Sequence, residues 1–193
     1  MLKVEAIENS IFDSITWLLS DSESDWVWLV DCGDIAPIID KSGGKRVKGV
    51  LLTHAHFDHI YGLPALISLF PECVIYTNEM GKTTLANSKS NMSLYHETPL
   101  IVEGPQILVC KEGDEVDLFE GEYAIVFETP GHHPSCLSFV TKSCIFTGDA
   151  FIPGKKTVTN LPKGDKILAR KSEEKILKLT GMKTVYAGHN IFK

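Results

Sequence analysis

Two hydrophobic spacings alternate along the chain. Short runs rich in β-branched and aromatic residues fall at residues 2–7, 14–19, 26–30, 47–52, 73–77, 123–127, 137–140, 144–149 and 183–187, with two more between 107 and 119 flanking Glu112-Gly113-Asp114. Such runs, bounded by polar turns, predict strands, and Asp21-Ser22-Glu23-Ser24-Asp25 predicts a hairpin between the second and third. Apolar positions at helical spacing predict helices over 35–41, closed by Gly43-Gly44, and over 60–70, 79–87 and 165–179. In the last of these, Ile167, Leu168, Ile176, Leu177 and Leu179 are separated by charges, as in a helix with one face in water. Residues 88–97 follow neither spacing: Met92, Leu94 and Tyr95 sit in a polar stretch, which predicts a surface loop or lid with His96 turned to solvent.

Strands that come in runs, with helices interspersed rather than in strict alternation, imply an α/β architecture of two sheets packed together with helices outside. With 193 residues, 44% of them hydrophobic, one domain spanning 1–193 is the economical reading. No repeat, low-complexity tract or linker interrupts it. A net charge of -6 and a pI near 5.6 oppose binding to phosphate backbones, so nucleic acid is not expected as a partner and a small molecule is. The five cysteines are odd in number, scattered and without a C-x-x-C pair, which argues against a disulfide framework and for a reducing compartment. The opening Met1-Leu2-Lys3-Val4-Glu5 has no signal-peptide character and no apolar run has membrane-spanning length, so a cytoplasmic protein without membrane attachment is expected.

Chemistry concentrates after the run ending at Leu52. Thr53-His54-Ala55-His56-Phe57-Asp58-His59 holds three of the seven histidines and a carboxylate. In extended backbone, residues two apart point the same way, so His54 and His56 can close on one ion, while Asp58 and His59 face a second once the chain turns. Neutral imidazole and carboxylate suit borderline divalent metals without any thiolate. Other strand ends carry further donors: His132 after residue 127, Asp149 at the end of 144–149, and His189 after 187. Asp31, also at a strand end, fits either a partner orienting a ligand histidine or a plain turn residue.

The motifs T-H-A-H-F-D-H, T-P-G-H-H-P-S-C-L-S-F, F-T-G-D-A and A-G-H-N, in this order across nearly the whole chain, resemble those of the metallo-β-lactamase superfamily. The resemblance implies an αββα sandwich holding two divalent ions, zinc first among candidates, with iron or manganese as alternatives. It implies that His54, His56 and His132 hold one ion, that Asp58, His59 and His189 hold the other, and that Asp149 bridges them. Asn91-Met92-Ser93 and Asn160-Leu161-Pro162-Lys163-Gly164-Asp165 are similar to the short glyoxalase II-like (hydroxyacylglutathione hydrolase-like) members. The activity implied is hydrolysis of a small ester, thioester or lactone by hydroxide shared between the ions, with Asp58 orienting it and taking its proton. Iron oxidoreductases of the same fold, such as persulfide dioxygenases, and nucleases are the alternative classes. Tyr61 and His133 depart from the family pattern next to ligand positions and are the candidates for substrate contact, whereas Cys136 is expected to pack.

Overall fold

The computed structural model describes residues 1–190. Six strands, β1 (Lys3–Glu8), β2 (Ile15–Ser20), β3 (Trp26–Val30), β4 (Arg46–Leu51), β5 (Val74–Thr77) and β6 (Ile107–Val109), lie side by side in chain order in a first sheet. The first three pair antiparallel through tight turns. From β3 to β6 pairing is parallel, and α1 (Ile35–Ser42), α2 (Leu63–Leu69) and α3 (Glu79–Leu85) make the crossovers that parallel strands require. The second sheet contains β7 (Glu115–Phe119), β8 (Glu122–Glu128), β9 (Leu137–Val140), β10 (Cys144–Gly148) and β11 (Thr184–Ala187). It is an antiparallel meander until α4 (Lys166–Thr180) returns the chain to lay β11 parallel to β10.

Alternation along the strands sorts the side chains into layers. Trp28, Val30 and Leu51 of the first sheet pack against Val126, Leu137, Phe139 and Phe146 of the second, while Val27, Leu29 and Val50 face Ile38, Leu63 and Leu66 of the helices. Ile145 and Val140 pack on Ile176 of α4. The result is helices, sheet, sheet, helix: the αββα sandwich that the resemblance implied. The indoles of Trp26 and Trp28 both donate to the Leu118 carbonyl, at 3.1 and 2.9 Å, which ties the sheets across the core while satisfying one half-buried and one buried donor.

Three local features differ from the hydrophobic pattern. Residues 60–62 form a turn, and α2 starts at Leu63 with Pro64 in its first turn, where a missing N–H leaves no intrahelical bond unmade. The strands flanking Glu112-Gly113-Asp114 belong to different sheets, so this turn is the crossing from one layer to the other. Loop 88–97 is tethered by buried side chains: Asn91 Nδ2 donates to Leu100 O at 3.0 Å, and Ser93 Oγ accepts from Leu100 N at 2.8 Å. Among the described residues no helix is long and apolar enough to cross a membrane.

Candidate metal centre

All seven histidine and aspartate donors named from the sequence meet at one edge of the sandwich. His54 and His56 leave the end of β4 in extended backbone; Asp58 and His59 occupy a 3-10 turn, Phe57–His59. His132, Asp149 and His189 follow the ends of β8, β10 and β11. The donor atoms of His54, His56 and His132 all lie within 4.8 Å of one another, as do those of Asp58, His59 and His189 and those of His54, His59 and Asp149. His132 Nε2 stands 2.9 Å from His56 Nδ1, and His59 Nε2 stands 3.4 Å from His189 Nε2. The Asp149 carboxylate spans the two groups: Oδ2 is 3.6 Å from His132 Nε2 and 3.3 Å from His189 Nε2, and Oδ1 is 3.6 Å from His59 Nε2.

Partners at the far side of each ring select which nitrogen faces inward. His132 Nδ1 donates to the Val158 carbonyl at 2.8 Å, His189 Nδ1 to the Phe12 carbonyl at 3.0 Å and His59 Nδ1 to Asp31 Oδ2 at 2.8 Å, so all three present Nε2 to the centre. His54 Nδ1 lies 3.2 Å from Thr53 Oγ1, leaving its Nε2 inward as well. Asp31 thus takes the orienting role, and it is also a turn residue with φ of 61°, a conformation that Asp tolerates. Its other oxygen, Oδ1, accepts from Thr53 N at 2.8 Å, while the Thr53 carbonyl accepts from Leu137 N at 2.7 Å, linking the ligand turn to both sheets. Close packing explains Gly188: a Cβ there would collide with Asp149 Oδ1 and with the His59 ring.

The electrostatics suit cation binding. Burial, followed by the neighbouring imidazoles, holds His54 well below its ordinary pKa and His56 at about 3, which keeps both in the neutral, ligating form. Burial alone would raise Asp58 and Asp149, but the adjoining histidines outweigh it: Asp58 lies well below the usual carboxylate range and Asp149 at about 2. His59 and His189 show the reverse balance. Burial lowers them, yet the surrounding carboxylates prevail and raise His59 well above its ordinary value and His189 to about 9. Two atoms test the fit to metal: His54 Nε2 and Asp149 Oδ1 are buried without a hydrogen-bond partner, and both point into the cluster. Unpartnered buried donors and acceptors are costly, and a cation satisfies both. The N and O donor set, split into two groups with one shared carboxylate, fits two divalent ions.

The cluster forms the floor of a cavity of about 570 Å³ reached by His56, Asp58, His132, Asp149 and His189. Neither residue expected to contact substrate lines it. Tyr61 donates from its hydroxyl to Asp34 Oδ1 at 2.7 Å, which draws the phenol aside, and His133 is buried with Nδ1 2.7 Å from Ser135 Oγ and its ring packed against His56. His96, expected in solvent, does line the cavity and stacks on Phe57 with ring centroids 4.0 Å apart. Phe12, Phe57, Met92, Tyr95, Val158 and Leu161 complete the walls; the sequence placed Met92 and Tyr95 in a predicted loop or lid and Phe57 and Leu161 in motif stretches, but assigned none of the six to substrate contact.

Comparisons with known proteins agree with this geometry. The chain is 30% identical over 145 residues to the hydroxyacylglutathione hydrolase of Psychromonas ingrahamii, covering 74% of this chain and 48% of that protein. It is 31% identical over 144 residues to the hydroxyacylglutathione hydrolase of Enterobacter sp. strain 638, covering 74% and 49%. The chain thus spans about half the length of the curated relatives it matches. Among solved structures it is similar in fold to BLEG-1 B3 metallo-β-lactamase (TM-score 0.84, 24% identity, 97% and 92% of the two chains) and to TTHA1623 in a di-iron-bound form (0.80, 23%, 97% and 92%). It also resembles ETHE1 from Myxococcus xanthus (0.74, 21%, 98% and 76%). Residues 13–189, a stretch that contains all seven converging donors, match the metallo-β-lactamase superfamily as a family, and the chain belongs to it.

Proposed function

We propose that the protein is a dinuclear metal-dependent hydrolase acting on a small ester, thioester or lactone. The observation that carries this reading is the bridging position of Asp149 between two donor groups at the floor of an open cavity. His54, His56 and His132 would hold one ion and Asp58, His59 and His189 the other. When bound, such a pair of ions makes water acidic enough to attack at neutral pH and polarises an acyl oxygen.

The chain's own groups supply the rest. The carbonyls of Val158 and Phe12 and the Asp31 carboxylate fix the ring orientations, so the donor positions exist before substrate arrives. Asp58 places Oδ2 3.3 Å from His189 Nε2 and lines the cavity, and its carboxylate is assigned to take the proton of the attacking water. Against two divalent cations the inner carboxylates Asp58 and Asp149 contribute two negative charges, which leaves the centre positive toward a developing oxyanion. A small-molecule substrate accords with the acidic chain, and a cytoplasmic location accords with five buried, unpaired cysteines.

The test is elemental analysis of protein purified without added metal, paired with turnover of thioesters, esters, lactones and phosphodiesters. Two equivalents of zinc, iron or manganese with acyl turnover support the reading. Oxygen uptake with a single equivalent of iron, or turnover of phosphodiesters alone, overturns it.

A further inference from the structure

The walls above the metal centre are of a different chemical kind from its floor. Phe12 enters from the turn between β1 and β2, Phe57 from the ligand turn itself, Met92, Tyr95 and His96 from loop 88–97, and Leu161 from the loop before α4. Three of the rings are contiguous: Phe12 meets His96 edge-on at 5.9 Å, and His96 stacks on Phe57. Phe12 and Tyr95 are 68% and 71% exposed, a large apolar area for two loop tips to leave in water at the mouth of one cavity. Neither is a floppy appendage. The Phe12 carbonyl is held by His189, and the 88–97 loop is tethered through Asn91 and Ser93.

Charge is as informative as shape. Among the described residues no Lys or Arg lines the cavity, although an anionic or peptide-like ligand calls for such groups. Lys163, the loop cation beside Leu161, reaches instead toward Met80 Sδ at 3.9 Å, and Lys155 donates to the Asn190 carbonyl. The carboxylates present, Asp58 and Asp149, belong to the metal floor.

We propose that this cavity selects an uncharged substrate whose acyl group is apolar, a straight chain of several carbons or a phenyl ring, seated against Phe12, His96, Phe57 and Tyr95, and that it disfavours the anionic glutathione thioesters. The proposal deepens the hydrolase reading and rests on it for the word substrate. The selection itself is a binding property of the walls and is measurable without turnover.

The experiment has two arms on the same metal-loaded protein. In the first, uncharged, unreactive thioethers carrying two, four and six carbons or a benzyl group are titrated by calorimetry. Affinity is expected to rise about fourfold per buried methylene at first, flattening as the chain outgrows the walls. Tyr95→Ala and Phe12→Ala, both at exposed positions that the fold does not need, should remove at least about half of the gain between the two- and six-carbon ligands. In the second arm, acetyl, butyryl, hexanoyl and benzoyl thioesters of an uncharged thiol are compared with lactoylglutathione. The hexanoyl and benzoyl compounds should exceed acetyl at least about tenfold in kcat/KM, with lactoylglutathione below about 10⁴ M⁻¹s⁻¹. A binding series that climbs while no acyl compound turns over keeps the apolar walls and sinks the hydrolase reading. Turnover with a flat series, slopes unchanged in both variants, or lactoylglutathione at about 10⁶ M⁻¹s⁻¹ or more overturns the proposal and leaves the hydrolase standing.

Discussion

Asp31→Asn isolates the orienting layer behind the second donor group. Asp31 accepts from two buried N–H groups, His59 Nδ1 at 2.8 Å and Thr53 N at 2.8 Å, and from the Thr53 hydroxyl at 2.8 Å. An asparagine amide has the same shape and tolerates the φ of 61°, so the backbone is expected to stay. Only one of its arms accepts. If the carbonyl keeps Thr53 N, the amide N–H₂ faces His59 Nδ1 and drives the ring proton to Nε2, the atom that faces Asp58, Asp149 and His189. If the amide flips, His59 keeps its tautomer and Thr53 N loses its acceptor. In the first orientation, which keeps the backbone bond, the charge-assisted bond that orients His59 goes, a loss of about 1.5–3 kcal/mol. On the scale of 1.36 kcal/mol per decade, this weakens the second metal equivalent about 10- to 100-fold. The first equivalent, on His54, His56 and His132, should barely change. Competition with a chromophoric chelator, titrating Zn(II) into metal-free protein, reads both steps. A melting curve of the metal-free variant, expected a few degrees lower, shows that the fold survives. Wild-type affinity for both equivalents, or loss of the first before the second, would refute the assignment of Asp31 to His59.

The other expectations are simpler. Wild-type protein should bind two metal equivalents, because the donors divide three and three with Asp149 between them, and full activity with one equivalent would contradict that division. Asp58→Asn should lower kcat more than it raises KM, since the shape is kept and the proton acceptor is lost; steady-state kinetics with an unchanged kcat would leave Asp58 a ligand only. Alkylating reagents should leave activity intact in the folded protein: all five thiols are buried, and burial pushes Cys73 and Cys110 up to about 12. Inactivation that substrate prevents would instead put a thiol, Cys136 first, in contact with the site.

The metal floor was legible in the sequence and the walls above it were not, and the difference is physical. A cation demands particular donor atoms, so a site built for one calls for imidazole and carboxylate at positions such as His54, His56, Asp58 and His59, and their spacing shows on the page. Strand ends were equally legible, because β3, β9, β10 and the last half of β4 are buried on both faces and read as short, dense apolar runs. That combination put His132, Asp149 and His189 at strand ends, where they could converge with the first four, and the family resemblance then assigned them to the two ions. Pairing partners were harder: nothing local says that residues on either side of Glu112-Gly113-Asp114 join different sheets, since the choice depends on which neighbouring strand is free.

A cavity wall, by contrast, asks only for apolar surface at a given point in space. Met, Phe, Tyr or Leu can supply it from any loop that reaches there, so no fixed spacing announces Phe12 and Leu161, which lie 149 positions apart. Tyr61 and His133 illustrate the opposite error. Each sits next to a ligand in sequence, yet side-chain direction is set by the nearest partner, and Asp34 and Ser135 turn both away from the cavity. His96 looked like a solvent residue because its neighbours are polar; the tether through Asn91 and Ser93 folds that polar stretch back and lays the ring on Phe57. Adjacency in sequence therefore finds residues suited to share an ion, whereas residues that line one cavity are found only from the path of the loops, and in this chain the loops carry the chemistry that the metal-ligand spacing does not announce.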